Sequence, residues 1–257
     1  MYLLLDLPNF SDPGVWTALL TLTALEIILG VDNIIFISIV SNKLPAAQQP
    51  RARLIGLLLA MVFRIALLLA ISWIIRLTDP LFTIDFIKRD GAPLGISWKD
   101  LILIAGGVFL VFKSTLEIHH KMEVADKPVN AISPSAFTAV ILQIVAVDAV
   151  FSFDSILTAI GLVENVAVMI IAVVISMLIM IFFAGTISTF INKHPSLQVL
   201  ALSFLIMIGV MLVAEGFHQE INKAYIYTAI AFSLIVELIN MRLRKKRDQI
   251  QLNNTQL

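Results

Sequence analysis

The chain has 257 residues, of which 59% are hydrophobic and only 14% are charged, and its mean hydropathy is +0.96. Soluble globular proteins contain about 25% charged residues, so this composition excludes that class and indicates a polytopic membrane protein. The 18 basic and 18 acidic residues cancel, which gives no electrostatic reason to expect a nucleic-acid partner. Cysteine is absent, and this excludes disulfides, thiolate metal sites and cysteine nucleophiles.

Seven apolar stretches are each long enough to cross a bilayer, which takes about 20 helical residues. The first 14 residues carry no Lys or Arg, so we expect a short external tail rather than a signal peptide. The spans are predicted at residues 15–40, 53–77, 98–116, 136–160, 164–190, 197–215 and 223–241. The predicted fold class is therefore all-α, with seven transmembrane helices in a single membrane domain over residues 1–257.

Lys and Arg are divided unevenly between the two sets of connections. One set, which includes the C-terminal tail, carries eleven basic residues, whereas the other carries five. Because basic residues favour the cytoplasmic side, we expect the N-terminus outside and the C-terminus in the cytoplasm. The external connection 78–97 is predicted to be a solvated loop with a short interfacial helix. The cytoplasmic tail 242–257 is predicted to be basic and to become disordered in its Gln- and Asn-rich end.

Two acidic motifs lie inside spans that are otherwise apolar, and they match each other. Glu26 to Ile35 aligns with Asp148 to Leu157, which places acid over acid twice at a spacing of six residues. An ionised side chain at the bilayer centre costs roughly 2.5–3.5 kcal/mol even on lenient scales, so such residues normally face a partner, a cavity or an ion pathway. The candidate metal ligands are these acids and their polar neighbours: Glu26, Asp32, Asn33, Asp148, Asp154 and Ser155.

The similarity between the two halves extends beyond the acidic motifs. Gly107 to Lys113 aligns with Gly209 to Glu215 in the third span of each half. Because three helices are an odd number, the second copy must enter from the opposite side, as in inverted-repeat transporters with substrate sites near the midplane. The predicted organisation is a first repeat at 15–116, a cytoplasmic linker at 117–135, a second repeat at 136–215 and a seventh helix at 223–241.

The spacing of the acids leaves two arrangements open. Glu26 and Asp32 would not share a face of an unbroken helix, because six residues turn it about 240° beyond one full turn. Helix breaks at the equivalent positions Gly30 and Ser152 would aim both acids of each motif at one cavity. In the alternative, the first acid of each motif pairs with Arg64 or other polar groups, and the ion site is lined by the later residues: Asp32, Asn33, Asp154 and Ser155.

Charge balance favours a divalent cation as the ligand. The four acids carry four negative charges if ionised, and Arg64 and Lys113, both at membrane depth, offset two of them. One divalent cation would neutralise the remainder. The all-oxygen donor set, with Ser152 and Gln143 as supporting residues, suits magnesium, calcium or manganese. A proton shared between neighbouring acids would instead favour proton coupling.

The third predicted span ends in a polar sequence. Glu117 and His119, together with Lys113, are candidates for a cytoplasmic vestibule or a regulatory metal site. An ordinary polar helix end explains the same residues, because charged and polar side chains normally mark the point where a span leaves the bilayer. The sequence therefore leaves the role of this helix end open.

Four segments resemble one known family: residues 25–36, Gly106 through His119, Asp148 through Ser155, and His194-Pro195. They resemble the TerC family of integral membrane proteins over nearly the whole chain, to about residue 245, and most closely its short bacterial members without a cytoplasmic CBS-type extension. The resemblance implies a bacterial inner-membrane protein of seven helices, distantly similar to LysE-type exporters. It also implies a link to tellurium-ion resistance and manganese export, with site residues in the two acidic motifs.

The sequence thus predicts a secondary transporter, not an enzyme, that exports a divalent cation, with Mn²⁺ preferred and Ca²⁺ as the other candidate. A metal-dependent hydrolase is disfavoured, because the chain has no His-Glu-x-x-His motif, nucleophile elbow or phosphate loop. The alternative is a membrane scaffold or metallochaperone for metal loading or tellurium-ion resistance, because binding and transport use the same ligands. The expected partners are the lipid bilayer and the metal ion, with a homodimer as one candidate assembly.

Overall fold

The computed structural model describes residues 8–70, 79–89, 92–123, 134–160, 163, 165–219 and 221–254. Within these ranges the chain forms seven long helices and one β-hairpin: α1 Pro13–Ser41, α2 Gln49–Leu69, β1 Pro80–Arg89, β2 Ala92–Ser97, α3 Trp98–Glu123, α4 Pro134–Ile160, α5 Val166–Asn192, α6 Pro195–Gly216 and α7 Lys223–Asn254. All seven helices are long and apolar enough to cross a membrane. The predicted all-α membrane fold with seven spans is therefore confirmed.

Local sequence signals fix where several helices begin. Pro13 stands in the first turn of α1, and the Asp12 carboxylate before it accepts a hydrogen bond from Gly14 N at 2.8 Å. Asn165 caps α5 in the same way, accepting from Ala167 N at 2.9 Å. Prolines also stand in the first turns of α2 and α6. Proline suits this position because it has no N–H group that would be left unpaired there.

The first six helices pack in pairs that reflect the two halves of the chain. If α1, α2 and α3 are exchanged with α4, α5 and α6, the α1–α5 pair becomes the α2–α4 pair and the α3–α6 pair is unchanged. α3 packs along α6, α1 against α5, and α2 against α4. A Cβ atom on Gly107 would lie 2.5 Å from the Gly209 carbonyl oxygen, and a Cβ atom on Gly209 would lie 2.8 Å from the Gly107 carbonyl oxygen. Val213 and Val111 flank these glycines reciprocally. Such reciprocity is what an inverted repeat with its axis between α3 and α6 predicts.

α7 lies at the periphery of the bundle. It packs mainly against α6, and no residue of its membrane-spanning stretch, Ala224–Leu243, is buried. Side chains such as Phe232, which is 68% exposed, are apolar and suited to contact lipid, because the bilayer is the solvent for this surface. The tightly packed core is thus made by the first six helices.

The connection before α3 differs from the prediction. A loop with a short interfacial helix is expected there, whereas β1 and β2 form an antiparallel hairpin that pairs Arg89 with Ala92. β-branched and aromatic residues are common in β1, and the sequence between the strands is Asp90-Gly91, a dipeptide typical of two-residue hairpin turns. This local signal was present in the sequence and outweighs the general expectation of a solvated loop.

Two helices are longer than the predicted spans. α3 continues to Glu123 and takes up the start of the predicted linker 117–135, of which residues 124–133 lie outside the described residues. α7 continues to Asn254, where disorder is expected from the sequence, and residues 255–257 lie outside the described residues. The tail is rich in Leu, Arg, Lys and Gln, which are strong helix formers, and no Gly or Pro interrupts it. The end of the predicted second span, 71–77, also lies outside the described residues.

Candidate functional site

One arginine joins the two acidic motifs inside the bundle. Glu26, halfway along α1, and Asp148, in α4, are each 4% exposed, and Arg64 of α2 is 2% exposed. Arg64 Nη1 donates a hydrogen bond to Glu26 Oε2, and Nη2 donates to Asp148 Oδ1 at 2.9 Å. The planar guanidinium can serve two carboxylates because its donors point in several fixed directions. Arg64 therefore bridges the first acids of the two motifs.

Polar side chains of α1 and α4 complete a group that we call the Arg64 network. Its members are Glu26, Asn33, Arg64, Asp148, Ser152 and Ser155. Asn33 Nδ2 donates to Asp148 Oδ1 at 3.3 Å, and Ser152 Oγ donates to Asp148 Oδ2 at 3.0 Å. Ser155 Oγ donates to the Ser152 carbonyl oxygen at 3.3 Å and lies beside Glu26. Residues three, four and seven apart lie on one helix face, so the spacing within each motif brings these side chains together.

The helices that carry the motifs are not broken. α1 runs without interruption through Gly30, and α4 runs through Ser152, so the predicted breaks are wrong. Gly30 instead permits close packing, because a Cβ atom there would collide with Met180 Sδ of α5. The carbonyl groups of an intact helix stay paired within it and are not free to bind an ion. The pairing of each first acid with Arg64 agrees with the alternative that keeps both helices intact.

A small cavity adjoins the Arg64 network. Its polar lining consists of Arg64, Asp154, Ser155 and Tyr227. The space in which the centre of a water molecule can lie is about 20 Å³. About one water molecule fits in this space. Asp154 is half-buried, so the second acid of the α4 motif borders the network rather than lying inside it. The sequence did not single out Tyr227, because α7 lies outside the repeat. The one feature that sets Tyr227 apart in the sequence is its hydroxyl group within an apolar span.

The Asn33 side chain has one unused oxygen. Its Nδ2 group binds Asp148, but its Oδ1 atom is buried and has no hydrogen-bond partner. An unsatisfied buried polar atom costs about 1–3 kcal/mol, and in native proteins such an atom calls for a specific explanation. Amide oxygens are ligands for hard cations. Asn33 Oδ1 is therefore a donor atom available to a cation next to Asp148.

Several candidates from the sequence do not join this network. The structure describes the backbone of Asp32 but not its side chain. Gln143 Nε2 is buried without a partner. Lys113 interacts with Lys43 and Glu117, and its role in offsetting the charge of the central acids stays a prediction. Within the described residues, Arg64 is the cation that Glu26 and Asp148 share.

Glu117 and His119 face different cavities. Glu117 lines a polar cavity at what we call the basic end of the bundle, the end that carries Lys43, Lys121 and Lys193. Its Oε2 atom is 2.6 Å from Lys43 Nζ. His119 lines an apolar cavity between α3 and α6. Residues two apart on a helix point in different directions, so Glu117 and His119 line separate cavities, and their role as a vestibule stays a prediction.

Metal binding at the Arg64 network would need more than carboxylates. Among the side chains that the structure describes, no three His, Cys, Asp or Glu residues lie close enough together to hold a metal ion. The donor atoms present near Asp148 include amide and hydroxyl oxygens from Asn33, Ser152 and Ser155. Such mixed oxygen donors suit Mg²⁺, Ca²⁺ or Mn²⁺ better than softer metals. The donor chemistry therefore fits a hard divalent cation once Arg64 releases a carboxylate.

Comparisons with known proteins identify the family. The family described as "Integral membrane protein TerC family" matches residues 11–250. "UPF0053 inner membrane protein YgdQ" of Escherichia coli (strain K12) is 48% identical over 236 residues, which cover 92% of this chain and 96% of that protein. "UPF0053 inner membrane protein YoaE" of the same strain is 47% identical over 236 residues, which cover 91% of this chain and 44% of that protein.

A third relative from that strain, "UPF0053 protein YegH", is 45% identical over 231 residues, which cover 90% of this chain and 42% of that protein. The chain thus spans less than half the length of YoaE and YegH and nearly all of YgdQ. No solved structure matches the chain. The matched range takes in both acidic motifs, Arg64, the first six helices and most of α7. The chain therefore belongs to the TerC family of integral membrane proteins.

Proposed function

We propose that the chain is a secondary transporter that exports a divalent metal cation, with Mn²⁺ as the preferred substrate, through the Arg64 network. The observation that carries this proposal is the position of the network: two carboxylates lie buried midway along apolar helices and are joined by a buried guanidinium. Burying such groups is costly, and their mutual attraction only partly offsets the loss of hydration. Ionisable groups at this depth usually mark a substrate or ion pathway.

In this proposal, Arg64 is the cation that pairs with both Glu26 and Asp148 when no metal is bound. A cation that reaches the cavity meets Asp154 and Ser155 first. Its positive charge repels the guanidinium and attracts Asp148, which exchanges one cationic partner for another. The unused Asn33 Oδ1 then becomes a ligand. The exchange leaves each buried carboxylate with a cationic partner at every stage, which avoids the cost of an unpaired buried charge.

The packing of the two halves suggests how the site opens alternately to each side. The inverted-repeat assignment makes α1 to α3 one unit and α4 to α6 the other, with contact between α3 and α6 at Gly107 and Gly209. In inverted-repeat transporters, one unit rocks against the other around a central substrate site. We assign the basic end to the cytoplasm of an inner membrane, because basic connections favour that side and two relatives are named inner membrane proteins.

A metal-binding scaffold or metallochaperone is the second candidate. The cavity beside Asp154 has room for about one water-sized particle, and the Lys43–Glu117 ion pair together with the Asn42–Asn192 hydrogen bonds joins helices at the basic end. A closed chamber of this kind is sufficient to bind an ion without passing it on. Flux, rather than binding, therefore separates the two candidates.

We expect Asp154→Asn to reduce Mn²⁺ flux at least tenfold in liposomes that contain the purified protein and a Mn²⁺-sensitive dye. The substitution keeps the shape of the side chain but removes one negative charge next to the cavity, and a loss of about 1.4 kcal/mol in cation binding already gives a factor of ten. The initial rate of dye quenching, normalised to the amount of protein in the liposomes, measures the effect.

The matched control is Asp12→Asn, which makes the same chemical change at the exposed N-cap of α1. Asparagine caps helices as well as aspartate does, so the flux of this variant should equal that of the parent. Equal flux in Asp154→Asn and the parent would contradict a transport role for Asp154. Saturable Mn²⁺ binding by the parent without any flux would favour the scaffold or metallochaperone.

A further inference from the structure

A second polar cavity lies at the basic end, apart from the Arg64 network. It has a volume of about 610 Å³ and is located where α1, α3 and α5 end and α6 begins. Its polar lining includes Asn42, Lys43, Glu117, His120, Lys121 and Asn192. A water molecule occupies about 30 Å³ in the liquid, so this cavity is large enough for a small molecule or a lipid headgroup.

Positive charge exceeds negative charge around this cavity. Glu117 is the only acid among the described lining residues, and it is already paired with Lys43 at 2.6 Å. Lys121 Nζ donates its hydrogen bond to the neutral side chain of Gln198. Lys113 adds a third ammonium group that interacts with both Lys43 and Glu117. In the described part of the chain, three ammonium groups therefore share one carboxylate here.

The start of α6 and two asparagines add hydrogen-bond donors. Pro195 lines the cavity and opens α6. It has no N–H group, and Leu197 N donates to the His194 carbonyl oxygen at 3.0 Å, so Ser196 N–H is the donor that remains in this first turn. The first N–H groups of a helix carry partial positive charge and attract anions. Asn42 and Asn192 exchange two hydrogen bonds, at 2.6 Å and 3.0 Å, and each can redirect its amide group to a ligand. The cavity thus combines excess positive charge with neutral donors.

We propose that this cavity binds a phosphate group, carried either by an anionic phospholipid headgroup or by a soluble phosphorylated molecule. Phosphate has several acceptor oxygens and a negative charge, and lysine ammonium groups are common phosphate binders. Basic pockets between transmembrane helices are known to hold phospholipid headgroups. A divalent cation is disfavoured, because Lys43 and Lys121 would repel it. The site does not depend on cation transport through the Arg64 network.

The test is calorimetric titration of the full-length detergent-purified protein in metal-free buffer at fixed ionic strength. The probes are inorganic phosphate and short-chain phosphatidylglycerol, with short-chain phosphatidylcholine as the zwitterionic comparison. We expect one equivalent of phosphate or phosphatidylglycerol to bind the parent more tightly than phosphatidylcholine does. We expect Lys121→Gln to weaken that binding about fivefold or more, because it removes one ammonium group next to the anion.

Three further variants separate a specific site from general attraction to a basic surface. Lys193→Gln removes the same charge from an exposed position that does not line the cavity, and should bind like the parent. Lys121→Arg keeps the charge and should retain binding. Lys113→Gln removes a nearby ammonium group but leaves the Lys121–Gln198 hydrogen bond intact. It should also weaken binding, and this result would exclude altered packing around Lys121 as the cause.

Each outcome of these titrations bears on the proposal. Binding of only phosphate or only phosphatidylglycerol supports the site and identifies the carrier of the phosphate group. The proposal is overturned if neither probe binds the parent, or if Lys121→Gln and Lys193→Gln bind the probe equally well. A matching thermal unfolding midpoint for parent and variants verifies that the binding data refer to folded protein.

Discussion

Arg64→Ala is expected to unfold the protein or to lower its thermal unfolding midpoint more than any other single substitution in the Arg64 network. The change leaves Glu26 and Asp148, each 4% exposed, without the guanidinium that binds both. Removing one partner of a buried ion pair costs about 3–5 kcal/mol, because an uncompensated buried charge remains. Thermal unfolding in detergent, followed by intrinsic fluorescence and size-exclusion chromatography, measures the loss.

Two variants make this prediction specific. Ala60 to Leu69 aligns with Ala172 to Ile181, which places Ser176 over Arg64. Ser176→Ala removes a buried hydroxyl that donates to the Val173 carbonyl oxygen at 2.9 Å. It should cost only about 1 kcal/mol, the net value of one ordinary hydrogen bond. The triple change Arg64→Met, Glu26→Gln and Asp148→Asn removes all three charges and should restore folding but not Mn²⁺ flux. An Arg64→Ala variant as stable as the parent would contradict the buried bridge.

Gly107→Ala and Gly209→Ala are each expected to destabilise the protein by about 3 kcal/mol, the upper range for overpacking a core. The new Cβ atoms would lie 2.5 Å and 2.8 Å from the carbonyl oxygen of the opposite glycine. Backbone atoms of a packed helix cannot turn aside as a flexible side chain can, so α3 and α6 must separate. Because the two contacts are reciprocal, the two variants should lose similar stability in chemical unfolding.

Gly185→Ala is the control for this pair. A Cβ atom on Gly185, in α5, would meet no atom within 4 Å. Alanine is favoured over glycine inside a helix by about 1 kcal/mol, so this variant should be as stable as the parent or more stable. If Gly107→Ala behaved like Gly185→Ala, the close crossing of α3 and α6 would not exist in solution.

The fold could largely be predicted from the sequence, because one physical constraint dominates. Each backbone polar group inside lipid must be paired within its own segment, so apolar runs of sufficient length become helices. This constraint does not act outside the bilayer. The hairpin before α3 was therefore not predicted, because local turn chemistry determines the structure there. The extension of α7 to Asn254 was not predicted either, because helix propensity determines it.

The candidate site was only partly predictable. The internal alignment indicated that the two acidic motifs would meet, but it could not choose between broken helices and a shared arginine. That choice depends on the distance of Arg64 from both carboxylates, which only the packing of α1, α2 and α4 determines. Tyr227 and Lys43 lie outside the aligned motifs, so their contacts with the small cavity and with Glu117 had no counterpart in the sequence pattern.

The most direct test of the central claim is the location of Mn²⁺ in crystals of the protein by anomalous diffraction. The account predicts a peak beside Asp148, between Asn33 Oδ1 and the cavity bordered by Asp154 and Ser155, with Arg64 moved away from Asp148. Mn²⁺ bound only at other positions, with Arg64 still joining Glu26 and Asp148, would contradict it.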